Sequence, residues 1–162
     1  MAEEENNEAK AAGAKLASGQ LAIQKVYVKD ISFEAPDTPA AFKDKWEPQV
    51  NMELSNDSNK LEENLFDITL GVTITVKAND KTVYLVEVKQ AGIFLIEGFP
   101  TEAIERIIGT ACPNILFPFA RELVAYLVTR GDFPQLLLSP VNFDALYMQH
   151  KLQQQNVSDT KH

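Results

Sequence analysis

The sequence predicts an α+β fold: a four-stranded antiparallel sheet with two helices after it. Two observations carry this. Up to about residue 90 the apolar residues recur with the two-residue period of strands, and beyond Pro113 they recur with the period of a helix. At 162 residues and 45% apolar composition, the chain is long enough for one domain with a real core and too short for two comfortable ones.

The first strand ends in KDISFEAP, residues 29–36. Leu21, Ile23, Lys25, Tyr27, Lys29, Ile31 and Phe33 share one parity, a mostly apolar face. Asp30, Ser32 and Glu34 fall on the other, and Ala35-Pro36 stops the run. Because side chains alternate across a strand, Asp30 and Glu34 are expected on one acidic face with Ile31 and Phe33 buried behind it. VNMEL, 50–54, gives a short second strand with Val50, Met52 and Leu54 in register.

FDITLGVTITVKA, 66–78, is the clearest strand, with Phe66, Ile68, Leu70, Val72, Ile74, Val76 and Ala78 on one face and a polar set on the other. Asn79-Asp80 supplies turn residues, and TVYLVEVKQ follows as the return strand of a hairpin of unspecified turn type. Val83, Leu85 and Glu87 share one face of that strand, and Tyr84, Val86 and Val88 the other. Both faces carry apolar weight, more than one subunit need cover.

The first helix is expected around ARELVAYLVTR, with Pro118 either kinking one long helix or starting a shorter one, and Gly131 ending it. Leu123, Val124, Leu127 and Val128 form a stripe that Phe117, Phe119 and Tyr126 widen beyond one face, as in a helix covered from more than one side. The second helix begins after Asn142, a good N-cap, with Asp144 in its first turn and Phe143, Leu146, Tyr147 and His150 on one face. Residues 1–19 read as a disordered arm, 20–152 as the single domain and 153–162 as a flexible tail.

A formal charge of −8 argues against a broad nucleic-acid surface and favours a basic partner. Cys112 is the only cysteine, which excludes an intrachain disulfide and a cysteine zinc site and fits a reducing compartment. No apolar run approaches the ~20 residues of a membrane helix, and the acidic start differs from a secretory signal. The chain therefore reads as soluble and cytoplasmic, without membrane insertion.

The residues offer little chemistry. His150 reads as a helix-surface histidine and His162 as the terminal residue. Cys112 has no evident base or cation to activate it and reads as a buried structural thiol. No glycine-rich phosphate loop or carboxylate dyad stands out, so no catalytic residue, metal site or cofactor is expected, and the chain is not read as an enzyme. The rival readings are a small enzyme or ligand carrier with a pocket near Cys112, and a plain oligomeric adaptor that would bind folded partners too. Hydrophobic residues in loops remain to be explained. Phe42 and Trp46, with Phe133 and Leu136–Leu138, either pack loops onto the sheet or form a surface for apolar segments of another protein.

KDISFEAP, the W-x-P of KWEPQV, EVKQAGIF, CPNILFPFAREL and RGDFPQLLLSPVNFDAL, in that order between about Gln20 and Gln155, resemble the SecB family of bacterial protein-export chaperones. The resemblance implies a homotetramer built as a dimer of dimers. It also implies an ATP-independent holdase that keeps precursors unfolded in the cytoplasm and delivers them to SecA, the motor of the Sec translocase. It places SecA contacts on the acidic outer face of the sheet, at Asp30, Glu34, Leu85 and Glu87, where SecA's basic, zinc-bearing C-terminal tail would dock; the zinc belongs to the partner. It places clients in an apolar groove, here Trp46, Val50, Met52 and Leu54 with Phe143, Leu146 and Tyr147.

Overall fold

A computed structural model describes residues 18–45 and 47–160; residues 1–17 of the expected arm at 1–19, Trp46 and residues 161–162, His162 among them, lie outside the described residues. Strands β1 (Gln20–Glu34), β2 (Gln49–Glu62), β3 (Leu65–Ala78) and β4 (Lys81–Glu97) form one antiparallel sheet in the order β1-β4-β3-β2. Helices follow. The first helical run comes in two segments, α1 (Thr101–Gly109) and α2 (Ala111–Arg130), and α3 spans Phe143–Asp159. Sheet first and helices after is the expected α+β order.

β3 and β4 form the centre of the sheet, each paired with a strand on both sides. Ile68, Leu70, Val72 and Ile74 of β3, with Val86, Val88, Phe94 and Ile96 of β4, turn one buried face toward the helices. Against it α2 lays Cys112, Leu116, Ala120, Val124 and Val128, every fourth residue and all fully buried. Asn79 and Asp80 both have positive φ (50° and 63°), the signature of a type I′ two-residue turn, which matches the twist of the hairpin it closes.

β1 departs from simple alternation. Bulges between Ile23 and Lys25 and between Val28 and Asp30 each insert one residue and reset the parity. Leu21, Ile23, Val26, Val28, Ile31 and Phe33 therefore lie on the helix-facing side, opposite the even-numbered residues of β4, while Lys25 and Tyr27 turn to the outer face. Ile31 is on the expected face but 44% exposed, because α2 lies over β3 and β4 and barely reaches β1. β2 is also longer than VNMEL: pairing with β3 carries it through the polar stretch to Glu62, although Ser55–Lys60 has no apolar alternation.

The helices begin and end for local reasons. Thr110 interrupts the first run, and its carbonyl accepts from Asn114 N–H to start α2, so the helix passes through Pro118 rather than starting there. Pro118 is exposed, and the carbonyl of Asn114 that it leaves unpaired lies on an exposed residue where water can serve it. Gly131 caps the end through Leu127 and Val128, yet its φ is −79° and the left-handed residue is Asp132. Glycine is needed at 131 for space: a Cβ there would sit 2.5 Å from the Phe33 ring.

Two further expectations change. Thr101–Arg130 is long and apolar enough to cross a membrane by length and composition, where the sequence reading saw no such run. In this fold the buried row of α2 on the sheet accounts for part of that apolarity, while Phe119 and Tyr126 remain exposed. α3, started by Asn142 Oδ1 accepting from Ala145 N–H at 3.0 Å, runs on to Asp159, so residues 153–159 of the expected tail are helical.

Candidate functional site

The helices leave the β2 side of the sheet uncovered. An open cavity of about 880 Å³ lies there between β2, α1 and α3. Met52 and Leu54 of β2, Leu70 of β3 and Ile108 of α1 form its apolar floor and wall, and Phe143, Leu146 and Tyr147 of α3 close the other side. Five of the expected groove residues (Met52, Leu54, Phe143, Leu146, Tyr147) thus meet in one place. Val50 faces the same way, opposite Val76 and 49% exposed, one step beyond the cavity lining. Trp46 lies outside the described residues. Phe143 is buried and stands edge-on to Phe117 at 5.9 Å, so it belongs to the core as much as to the groove.

Several groups that shape the groove were not anticipated. Asn56 Nδ2 donates to the Ile108 carbonyl at 2.9 Å, tying β2 to the end of α1. Arg106 and Asp144 approach to 3.6 Å, an exposed pair joining α1 to α3. Gly109 admits the Tyr147 ring, which a Cβ would meet at 2.6 Å. His150 and Glu105 sit among the polar lining residues. A smaller cavity of about 460 Å³ holds the second aromatic group: Phe42, exposed, packs on Phe133 at 5.3 Å, and Phe133 packs on Tyr84 at 4.9 Å. Phe133 is thus in the core, and Phe42 packs its loop onto it while staying exposed. Leu138 is buried and Leu137 exposed in the same way.

The opposite face of the sheet carries the acidic set. Glu34 lies directly across from Leu85, Ser32 from Glu87 and Asp30 from Lys89, so Asp30, Glu34, Leu85 and Glu87 share one outer face. The three carboxylates are exposed and Leu85 is half-buried between strands. Beside them, Tyr27 Oη donates to Asp67 Oδ1 at 2.6 Å, while Lys29 Nζ donates to Asp67 Oδ2 at 2.8 Å and to Thr69 Oγ1 at 3.0 Å. Partial burial pushes the Asp67 carboxyl up, but the Lys29 ammonium and the Tyr27 hydroxyl outweigh it and hold the group below the usual carboxylate range. The same hydrogen bond to Asp67 raises Lys29.

A third surface is apolar. Ile23, Val28 and Ile31 of β1 and Phe119 and Tyr126 of α2 are all exposed on the helix-facing side of the β1 edge. Sequence periodicity had already marked α2 as apolar beyond one face.

Cys112 is fully buried in the helix–sheet interface, and burial pushes its thiol up to about 12. It is expected to resist thiol reagents at neutral pH until the chain unfolds, and the chaperone reading that the resemblance implies expects Cys112→Ala to leave client binding near normal. Loss of binding in that variant would favour the small-ligand reading. No group of three or more potential metal ligands occurs among the described residues.

A four-stranded sheet half covered by a core helix and half left as an open apolar groove defines a class of small α+β proteins built around a surface cleft. The family model described as preprotein translocase subunit SecB matches residues 14–155. The protein-export protein SecB of Methylococcus capsulatus is 56% identical over 145 residues, which cover 88% of this chain and 94% of that one. That of Nitrosococcus oceani is 53% identical over 139 residues, 85% of each. The chain belongs to the SecB family. Its fold is also similar to the solved SecB-like chaperone of Mycobacterium tuberculosis in complex with an antitoxin peptide. The TM-score there is 0.60 at 18% identity, covering 82% of this chain and 97% of that one.

Proposed function

We propose that this chain is a cytoplasmic, ATP-independent holdase, not an enzyme, that holds unfolded precursors for export and passes them to SecA. The observation that carries this is the open apolar groove between β2, α1 and α3 in a SecB-family chain. Apolar side chains of an extended segment would replace water along Met52, Leu54 and Leu146, a gain that needs neither nucleotide nor cofactor. A folded protein keeps such segments inside itself, so selection for unfolded clients follows without a sequence code.

The working particle is a homotetramer, a dimer of dimers. The exposed apolar residues of β1 and α2 support this, since a surface of that kind is commonly covered by a second subunit. Light scattering coupled to size exclusion tests both points. A particle of four 18.0 kDa chains that takes up a reduced, unfolded precursor and ignores its folded form is expected. A monomer indifferent to unfolded protein would overturn the proposal.

SecA docks on the outer face at Asp30, Glu34, Leu85 and Glu87, with its basic, zinc-bearing tail against the carboxylates. Glu34→Lys and Glu87→Lys are expected to weaken SecA binding at least tenfold, because each replaces an attraction with a repulsion. Client holding occurs on the other side of the sheet and is expected to persist. Normal SecA affinity in both variants would move the docking site elsewhere.

A further inference from the structure

The cluster of Tyr27, Lys29, Asp67 and Thr69 beside the acidic face is unusual in its reach. Tyr27 and Lys29 are on β1 and Asp67 and Thr69 on β3, yet β4 lies between these strands. The side chains cross it over Ala91, which stands opposite both Tyr27 and Thr69 and is fully buried. A small residue there leaves room for the crossing. Lys29 is also the residue inserted by the second bulge, directly before the segment that brings Asp30 and Glu34 onto the outer face.

We propose that Asp67 is a positioning residue for partner docking: it pins Lys29 away from the neighbouring carboxylates and so preserves the acidic face that a basic segment recognises. The inference rests on the docking reading above. Charge makes the argument. Asp30, Glu34 and Glu87 face only Lys89 in the paired positions of this patch, which leaves it two charges negative. Lys29, 41% exposed at its side chain, has both its strong contacts on Asp67 and Thr69. Without the Asp67 charge its ammonium would be free to turn toward Asp30, the next residue along the chain. That would halve the net charge of the patch and place a built-in competitor where the partner's cation should sit. The network also anchors the bulge that sets the phase of Asp30, Ser32 and Glu34 against Lys89, Glu87 and Leu85.

The test is a titration of the intact chaperone with SecA at low and moderate salt, using Asp67→Asn, the double variant Asp67→Asn/Lys29→Gln, and Glu34→Lys as a control. Asparagine keeps the shape and an acceptor for Tyr27 while removing the charge. Asp67→Asn is expected to weaken SecA binding roughly two- to fivefold, the size of an exposed charge–charge term. The loss should shrink as salt screens it, and the added Lys29→Gln should restore affinity. A merely structural role for Asp67 predicts no rescue by Lys29→Gln and little salt dependence. Wild-type affinity in Asp67→Asn, or a double variant as weak as the single, overturns the inference while a weakened Glu34→Lys leaves the docking reading standing. Wild-type affinity in Glu34→Lys as well would bring down both.

Discussion

An unfolded precursor is expected to bind about 10²–10⁴ times more tightly than any one of its apolar segments offered as a separate peptide. The groove explains the gap. Val50, Met52 and Leu54 lie on one face of β2, and four residue steps at ~3.3 Å make the rail roughly 13 Å long. That is room for four or five extended residues. Burying ~400 Å² of apolar surface gains about 10 kcal/mol at ~25 cal/mol per Å². Ordering five residues costs about 1–2 kcal/mol each, and association itself costs several more. One segment is therefore held weakly. In the proposed tetramer, once that segment is seated, a second segment of the same client would meet a second groove at the concentration set by the linker between them, and the particle as a whole would retain the client. Titrating a reduced precursor and its isolated peptides under the same conditions checks this. Equal affinities would mean that one groove captures a client alone and that assembly adds nothing to holding.

How far the sequence could be read depends on whether a feature has a period. β3 alternates without interruption from Phe66 to Val76, so its faces were legible, and they set the faces of β4 through pairing. β1 was legible only in part, because a bulge inserts a residue without a composition signal of its own. The hint was there in Lys25 and Lys29, two cations in an otherwise apolar parity, and each lies beside or within a bulge. The acidic patch survived this error because Asp30, Ser32 and Glu34 all follow the second bulge and keep their mutual phase.

The groove was less legible. Its β2 rail and α3 wall were anticipated from alternation and helical spacing, but α1 was not anticipated at all, and with it went Ile108 and Gly109. The signal existed in TEAIERIIG, where Ile104, Ile107 and Ile108 repeat at helical spacing, but nine residues make a weak pattern. That Gly109 makes way for Tyr147 is a property of how α1 and α3 pack, which no local pattern encodes. The same holds for the crossing of Tyr27 to Asp67, which requires knowing that β4 lies between β1 and β3 and carries alanine at that row.

Phe94→Ala is expected to destabilise the fold by about 3–5 kcal/mol, the range for a buried phenylalanine removed from a core. Phe94 is fully buried on the helix-facing side of β4, opposite Ile23 of β1 and Phe66 of β3. Its ring folds back along its own strand over Gly92, where a Cβ would lie 2.7 Å from Cε2 and 3.1 Å from Cδ2 of Leu116. Phe94 of β4 and Leu116 of α2 thus both close on the space that glycine at 92 leaves open. Little nearby can collapse into the hole, since Leu116 belongs to the rigid every-fourth-residue row of α2 and the strand is paired on both sides. For a small domain stable by ~5–15 kcal/mol, a loss of this size moves the urea midpoint by roughly 1–3 M. The proposed subunit association would add to apparent stability, so the comparison is made at one protein concentration. Leu54→Ala provides the contrast. Leu54 is only partly buried in the groove wall, so its truncation is expected to cost far less stability and to weaken client holding instead. If Phe94→Ala left the midpoint within a few tenths of a molar of the parent, the ring would not be the core support that its burial indicates.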